Sequence, residues 1–190
     1  MRKSLTFAAL LVVPALAAAS LAPLSLQPGS RVWVDGTSTV RSWHCESTRA
    51  EGTAATSQVD VDRIGTVSSA DLTVPVATLD CRNTTMNGHM RNALKADQNP
   101  QIRFHASSVQ VTAQGADQGS AHLAGDLTIA GQSRPVTINA TLAKENGQLR
   151  VRGSKQIDMT EWGVRPPSLM LGAMKVAPTA TVGFDVVLKP

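Results

Sequence analysis

From residue 31 onward most of the chain alternates apolar and polar residues two by two. That period puts one strand face on an apolar interior and the other on water. Residues 31–35 and 40–47 read as two strands joined at Gly36-Thr37-Ser38, the second with Trp43 and Cys45 on one face. Glu51-Gly52-Thr53 reads as a break, and residues 57–62 alternate again, with Val59 and Val61 together. Residues 71–79 carry Leu72, Val74 and Val76 on one face, and Pro75 inside that run points to an edge or a bulge. Ile102, Phe104 and Ala106 share a face, but Val109 and Val111 follow in the opposite phase, so one extra residue between them predicts a bulge. Leu123, Leu127 and Ile129 alternate around Gly125. Residues 130–135 read as a tight connection to Val136, Ile138, Ala140 and Leu142. Glu145-Asn146-Gly147 is a hairpin signal before Leu149 and Val151. The chain closes with Val182, Phe184, Val186 and Leu188 on one face.

One segment departs from this period. Met86, Met90, Ala93 and Leu94 recur at helical spacing, and Asn99-Pro100 stops the pattern before Ile102 and Phe104 resume the alternation. The residue before a proline is biased away from helix. A short helix is therefore predicted near residues 86–96, its apolar stripe packed across one end of the strand assembly as a plug or a gate. Methionines suit a seal that adapts to what lies beneath.

Eight or nine strands with short turns and hardly any helix define an all-β chain. Periodicity alone leaves a closed barrel and a two-sheet sandwich both open. About eight strands can close around side chains or one small ligand. Residues 1–19 stand apart: Arg2 and Lys3 precede an uncharged apolar run, and Ala17-Ala18-Ala19 offers small residues for cleavage. This reads as a secretory signal peptide, too short to span a bilayer, and leads us to expect the protein in the periplasm or outside the cell. Residues 20–30, with Pro23, Pro28 and Gly29, read as an irregular lead-in, and residues 31–190 as one domain.

Without Arg2 and Lys3, 16 bases face 14 acids, the bases are scattered, and Tyr is absent. That balance excludes a nucleic-acid surface. No further run reaches membrane-spanning length. Cys45 and Cys81 are the two cysteines of an exported chain and are expected to pair, the alternatives being two buried thiols or a metal site.

No catalytic signature is present: there is no G-x-S-x-G, H-E-x-x-H, C-x-x-C or phosphate-cradling glycine loop. His44, His89, His105 and His122 are dispersed. A metal set of His44, His89, Cys45 and Cys81 is disfavoured because adjacent strand residues point to opposite faces. Asp126, Asp158 and Glu161 read as solvated strand residues before they read as acid/base groups. Asn83-Thr84-Thr85 and Asn139-Ala140-Thr141 match a weak glycosylation sequon. Residues 159–172 cannot form a regular ladder, since Pro166-Pro167 removes two donors. Yet the segment carries Trp162, Leu169, Met170 and Leu171. It either covers a barrel end or rims an opening for an apolar ligand.

Four motifs carry a resemblance to a known family. Met86 to Phe104 gives a short helix, a proline and an alternating strand. Gly125-Asp126-Leu127-Thr128-Ile129-Ala130-Gly131, followed by Arg134-Pro135-Val136, is a G-x-L-T-I-x-G connection. Gly36 to Val40 and Pro166 to Gly172 complete the set in order. Over residues 31–190 the chain resembles the YceI-like family of exported bacterial proteins that bind polyisoprenoids or other lipids. The resemblance implies a single antiparallel, lipocalin-like β-barrel with an apolar cavity that holds a long isoprenoid chain. Gly88 within the helix and the Cys45/Cys81 pair depart from the general family pattern.

The expected function is non-catalytic carriage of a polyisoprenoid or isoprenoid quinone in the barrel interior, with no cofactor. The cavity lining is expected from Leu72, Val74, Met90, Leu94, Ile102, Phe104, Leu123, Leu127, Ile129, Val136, Ile138, Val182, Phe184 and Val186. The alternative is a sandwich or filled barrel that binds a protein partner through its surface. The sequence identifies no such partner.

Overall fold

The structure is a computed structural model that describes residues 23–56 and 67–189. The expected signal peptide and the expected strand at 57–62 lie outside the described residues. The strands are β1 (Leu24–Leu26), β2 (Arg31–Ser38), β3 (Ser42–Ser47), β4 (Glu51–Thr56), β5 (Val67–Pro75) and β6 (Gln101–Ala113). They continue with β7 (Gln118–Ile129), β8 (Gln132–Glu145), β9 (Gln148–Asp158), β10 (Ser168–Leu169) and β11 (Met174–Lys189). One helix, α1 (Thr84–Ala93), lies between β5 and β6.

The strands pair antiparallel in the order β1-β4-β5-β6-β7-β8-β9-β11, and β1 pairs back onto β11 to close a barrel. Beyond the short β1, the same edge of β11 pairs with β2, and β3 pairs with β2. This hairpin extends the wall at one end. Glu46 then bridges to Asp80, and the Cys45–Cys81 disulfide fastens β3 to the segment that leads into α1.

The turns make this closure possible. Asn146 (φ 52°) and Gly147 (φ 73°) make a two-residue hairpin between β8 and β9, with the positive φ pair that matches strand twist. Ala130 (φ 48°) and Gly131 (φ 78°) make the same turn between β7 and β8. The predicted bulge is present between Ala106 and Ser108, where the backbone of His105 and Ala106 lies against Gly125 and leaves no room for a Cβ.

Several expectations are corrected. Residues 20–30 are not wholly irregular: β1 lies there, Leu24 is buried, and this strand closes the ring. A three-residue strand gives too little alternation to be read. Gly36-Thr37-Ser38 belongs to β2, and the turn falls at residues 39–41; Gly36 is needed because the Trp43 ring lies where its Cβ would be. Glu51-Gly52-Thr53 opens β4, and Gly52 admits the carbonyl of Asp71 at close approach. Pro75 is the last residue of β5, where the β4 ladder has already ended at Glu51 opposite Thr73 and only β6 pairs, through Gln101; Val76–Thr78 then form a 3₁₀ turn. The connection at residues 130–135 shrinks to Ala130-Gly131, with Gln132 to Pro135 in β8. The helix runs from Thr84, earlier than predicted. It ends at Ala93, with Leu94 as its cap, before Asn99-Pro100, because Lys95 takes a left-handed φ of 52° and turns the chain out.

The barrel interior buries Val74, Phe104, Leu123, Leu127, Ile129, Val136, Ile138 and Val186. Leu72, Ile102, Val182 and Phe184 are half-buried against them. On the outer wall, Asp185 is only 3% exposed. It accepts from Arg150 Nε at 2.7 Å and Nη2 at 2.8 Å, and from Arg152 Nε at 3.1 Å, with Arg31 3.6 Å away. These bonds, Arg150's foremost, hold the Asp185 carboxyl below the ordinary carboxylate range.

Candidate functional site: an apolar cavity beneath a helical lid

At the end where β6 and β11 begin and β7 and β9 finish, the barrel is not filled. A cavity of about 360 Å³ remains, at the small end of the volumes typical of small-molecule sites. Its walls are Ile102 on β6, Ile129 on β7, Ile157 on β9, and Met174, Val176, Ala180 and Val182 on β11. Val34 on β2 and Trp43 on β3 complete them.

Helix α1 covers this space. Met86, Met90, Ala93 and Leu94 turn their stripe onto it, together with His89. Side-chain bonds fix where the lid starts. Asn83 caps it, accepting from the backbone N–H of Met86 at 3.0 Å. Asn87 accepts from Cys81 N at 2.7 Å and donates to Asp80 Oδ1 at 3.0 Å, so the helix is bonded to the disulfide-anchored segment. The Asn87 amide, with the N–H of Arg82, holds the Asp80 carboxyl below its usual range.

The loop at residues 159–172 supplies the remaining wall through Met159, Val164 and Pro167. Trp162, 2% exposed, pins it by donating from its indole N–H to the Leu127 carbonyl at 2.8 Å. Arg134 Nε adds a bond to the Glu161 carbonyl at 3.0 Å. The loop thus covers the barrel end, and Pro167 lies on the cavity's border. The exposed lining residues are Arg41, Asn83 and Thr85, which mark the mouth. Apart from half-buried Ser38 and His89, the rest of the lining is aliphatic, aromatic or thioether.

Of the residues expected to line a cavity, Met90, Leu94, Ile102, Ile129 and Val182 do so. Leu72, Val74, Phe104, Leu123, Leu127, Val136, Ile138, Phe184 and Val186 lie deeper, in the packed part of the barrel. The Phe184 ring occupies the space that a side chain at Gly153 would need. The lining also includes Val34, Trp43, Ile157, Val164, Met174 and Val176, which were not expected in it. Their apolar character was visible, but not which end of each strand the core leaves unfilled.

The polar candidates fall elsewhere. His44 faces outward to Asp35, 2.6 Å from Nδ1 to Oδ1, while Cys45 faces inward in the disulfide. Among the described residues no group of three or more His, Cys, Asp or Glu is placed to hold a metal ion. Asp126, Asp158 and Glu161 border a shallow groove on the outer wall. Asp158 caps a 3₁₀ turn there, and the Thr160 hydroxyl and N–H lower its pKa. Asn139 pairs with His122 at 2.8 Å on the outer face. No described helix is long and apolar enough to cross a membrane.

A closed antiparallel barrel with an apolar end cavity under a short helix defines the structural class. The chain belongs to the YceI-like family, whose domain matches residues 30–188. The crystal structure of BcnA from Burkholderia cenocepacia is similar in fold, with a TM-score of 0.68 at 18% identity over 85% of this chain and 98% of that one. A polyisoprenoid-binding domain from Saccharophagus degradans, implicated in plant cell wall breakdown, has a TM-score of 0.68 at 13% identity, covering 87% of this chain and 97% of its own. The YceI protein of Campylobacter jejuni has a TM-score of 0.53 at 17% identity, over 72% of this chain and 79% of that one. No curated protein is matched by this sequence.

Proposed function

We propose that the protein binds the hydrocarbon chain of an isoprenoid lipid, without catalysis, in the cavity beneath α1. The observation that carries this reading is the cavity's make-up: a predominantly apolar lining with no carboxylate in it, and with its exposed polar groups at the mouth. Burial supplies the driving force, at about 25 cal/mol per Å² of apolar surface removed from water. A ligand that buries a few hundred Å² has ample driving force before ordering costs are met. The Saccharophagus degradans domain, described as polyisoprenoid-binding, supports the choice of ligand class. The signal-like residues 1–19 support a place of action in the cell envelope or outside the cell.

The test is native mass spectrometry with organic extraction of protein purified from its own host, followed by titration with polyprenols of increasing length. Co-purification or saturable uptake of an isoprenoid is expected. An empty protein that also refuses every polyprenol would refute the proposal.

A further inference from the structure

We propose that the protein docks, cavity mouth first, on an anionic lipid bilayer, through the β2–β3 turn and the loop that precedes β11. Two large hydrophobic side chains are strongly exposed among the described residues, Val40 (64%) and Leu171 (110%). Single exposed aliphatics are ordinary. These two are distinguished by where they stand. Val40 is in the turn beside Ser38 and Arg41, and Leu171 is in the loop between Pro167 and Met174; all four flanking residues line the cavity.

The two tips form one surface. Thr39 N donates to the Lys175 carbonyl at 3.0 Å, Thr39 Oγ1 donates to the Ala173 carbonyl at 3.1 Å, and Lys175 N donates to Thr39 Oγ1 at 3.2 Å. The Ser38 hydroxyl accepts from Val40 N at 3.3 Å and Arg41 N at 3.1 Å, which fixes the first tip. Leu171 holds a φ of 55°, a left-handed conformation that disfavours branched side chains and suits glycine or asparagine. The fold gains nothing from a leucine there, since the side chain is fully exposed.

Two bases stand beside the tips. Arg41 and Lys175 flank them, both exposed, and neither is ion-paired among the described residues. A groove alongside the lid adds Lys95 and Arg165. No described carboxylate lines the cavity or this groove, although the whole chain has 14 acids against 18 bases. Two small aliphatic tips are far less than the ~800 Å² per partner of a stable protein interface. Aliphatics that enter the headgroup layer, ringed by bases that meet anionic lipids, are what an interfacial anchor needs. A bilayer at this surface would face the cavity mouth directly.

The test is co-sedimentation with phosphatidylcholine vesicles and with vesicles that also contain phosphatidylglycerol. Binding is expected for the anionic vesicles at about 0.1 M salt, and loss of binding at about 1 M, where charges are screened within a few ångströms. The pair Val40→Ser and Leu171→Gly should weaken it at least about tenfold. Leu171→Gly also relieves the left-handed backbone, so a melting curve will separate lost docking from lost folding. The pair Arg41→Gln and Lys175→Gln should weaken binding to the anionic vesicles similarly. No binding by the unmodified protein, or undiminished binding by either pair, overturns the proposal. Uptake of a short isoprenol without vesicles reads cavity binding separately. Normal uptake without vesicle binding would defeat docking alone.

Discussion

Asp185 is a carboxylate buried on the outer wall among Arg31, Arg150 and Arg152, where its bonds tie β11 to β9 and bring in β2. Asp185→Ala leaves bases without their acceptor, and an equilibrium denaturation series should show a loss of about 1–3 kcal/mol. The pH dependence follows from the depressed pKa. The stabilisation is full above the unfolded aspartate's value, near ~3.9, and is lost as pH falls through the lower folded value. Melting temperatures recorded from pH 6 downward should therefore fall less steeply for Asp185→Asn than for the native chain. Sequence could not single this residue out: Asp185 alternates between Phe184 and Val186 as any solvated strand residue would. Only the register that sets it opposite Arg31 and Arg152 reveals the cluster.

At the scale of elements, the lid is the part whose presence the sequence showed best, though not its ends. Its methionine stripe was legible because 3.6-residue periodicity stands out against alternation. Its ends were not, because they are set by a side-chain cap from Asn83 at one end and by the left-handed backbone of Lys95 at the other, outside the apolar stripe. The space around Gly88 is open: a Cβ at this position would meet no atom within 4 Å, and the backbone has no positive φ. Gly88→Ala should thus stabilise the protein by about 0.5–1 kcal/mol in denaturant titrations, and a loss of stability would show that the helix needs that glycine. The disulfide acts on the same element from below. Opening the Cys45–Cys81 loop, 36 residues in separation, should cost roughly 3–4 kcal/mol in the chain-entropy account. Hydrogen exchange in Cys45→Ala/Cys81→Ala should rise first in β3, which holds Cys45, and in α1, which the Cys81 segment leads into.

Across the whole molecule, alternation told which side of each strand faces inward, and the strand residues expected inside, from Leu72 to Val186, are buried in the core or packed against it. It could not tell how deep the space goes. That depends on how facing side chains meet across the barrel, and Phe184 over Gly153 is a contact that no single strand announces. The structure divides the interior into a packed region around Phe104, Leu123 and Ile138 and a cavity bounded by Ile102, Ile129 and Val182. The two regions should answer oppositely to mutation. Leu123→Ala removes a buried side chain from the packed region and should cost about 2–5 kcal/mol, yet leave the affinity for a short isoprenol unchanged at a temperature where the variant is folded. Val182→Phe adds volume where there is void, so the new ring gains contacts in place of empty space. It should leave the melting temperature level or higher while lowering isoprenol affinity at least about tenfold, read by quenching of Trp43, which stands in the cavity wall. A folded Leu123→Ala protein that no longer takes up the ligand would mean that the packed region opens to admit it. The bound chain would then run the length of the barrel, and α1 would close a channel rather than roof a pocket.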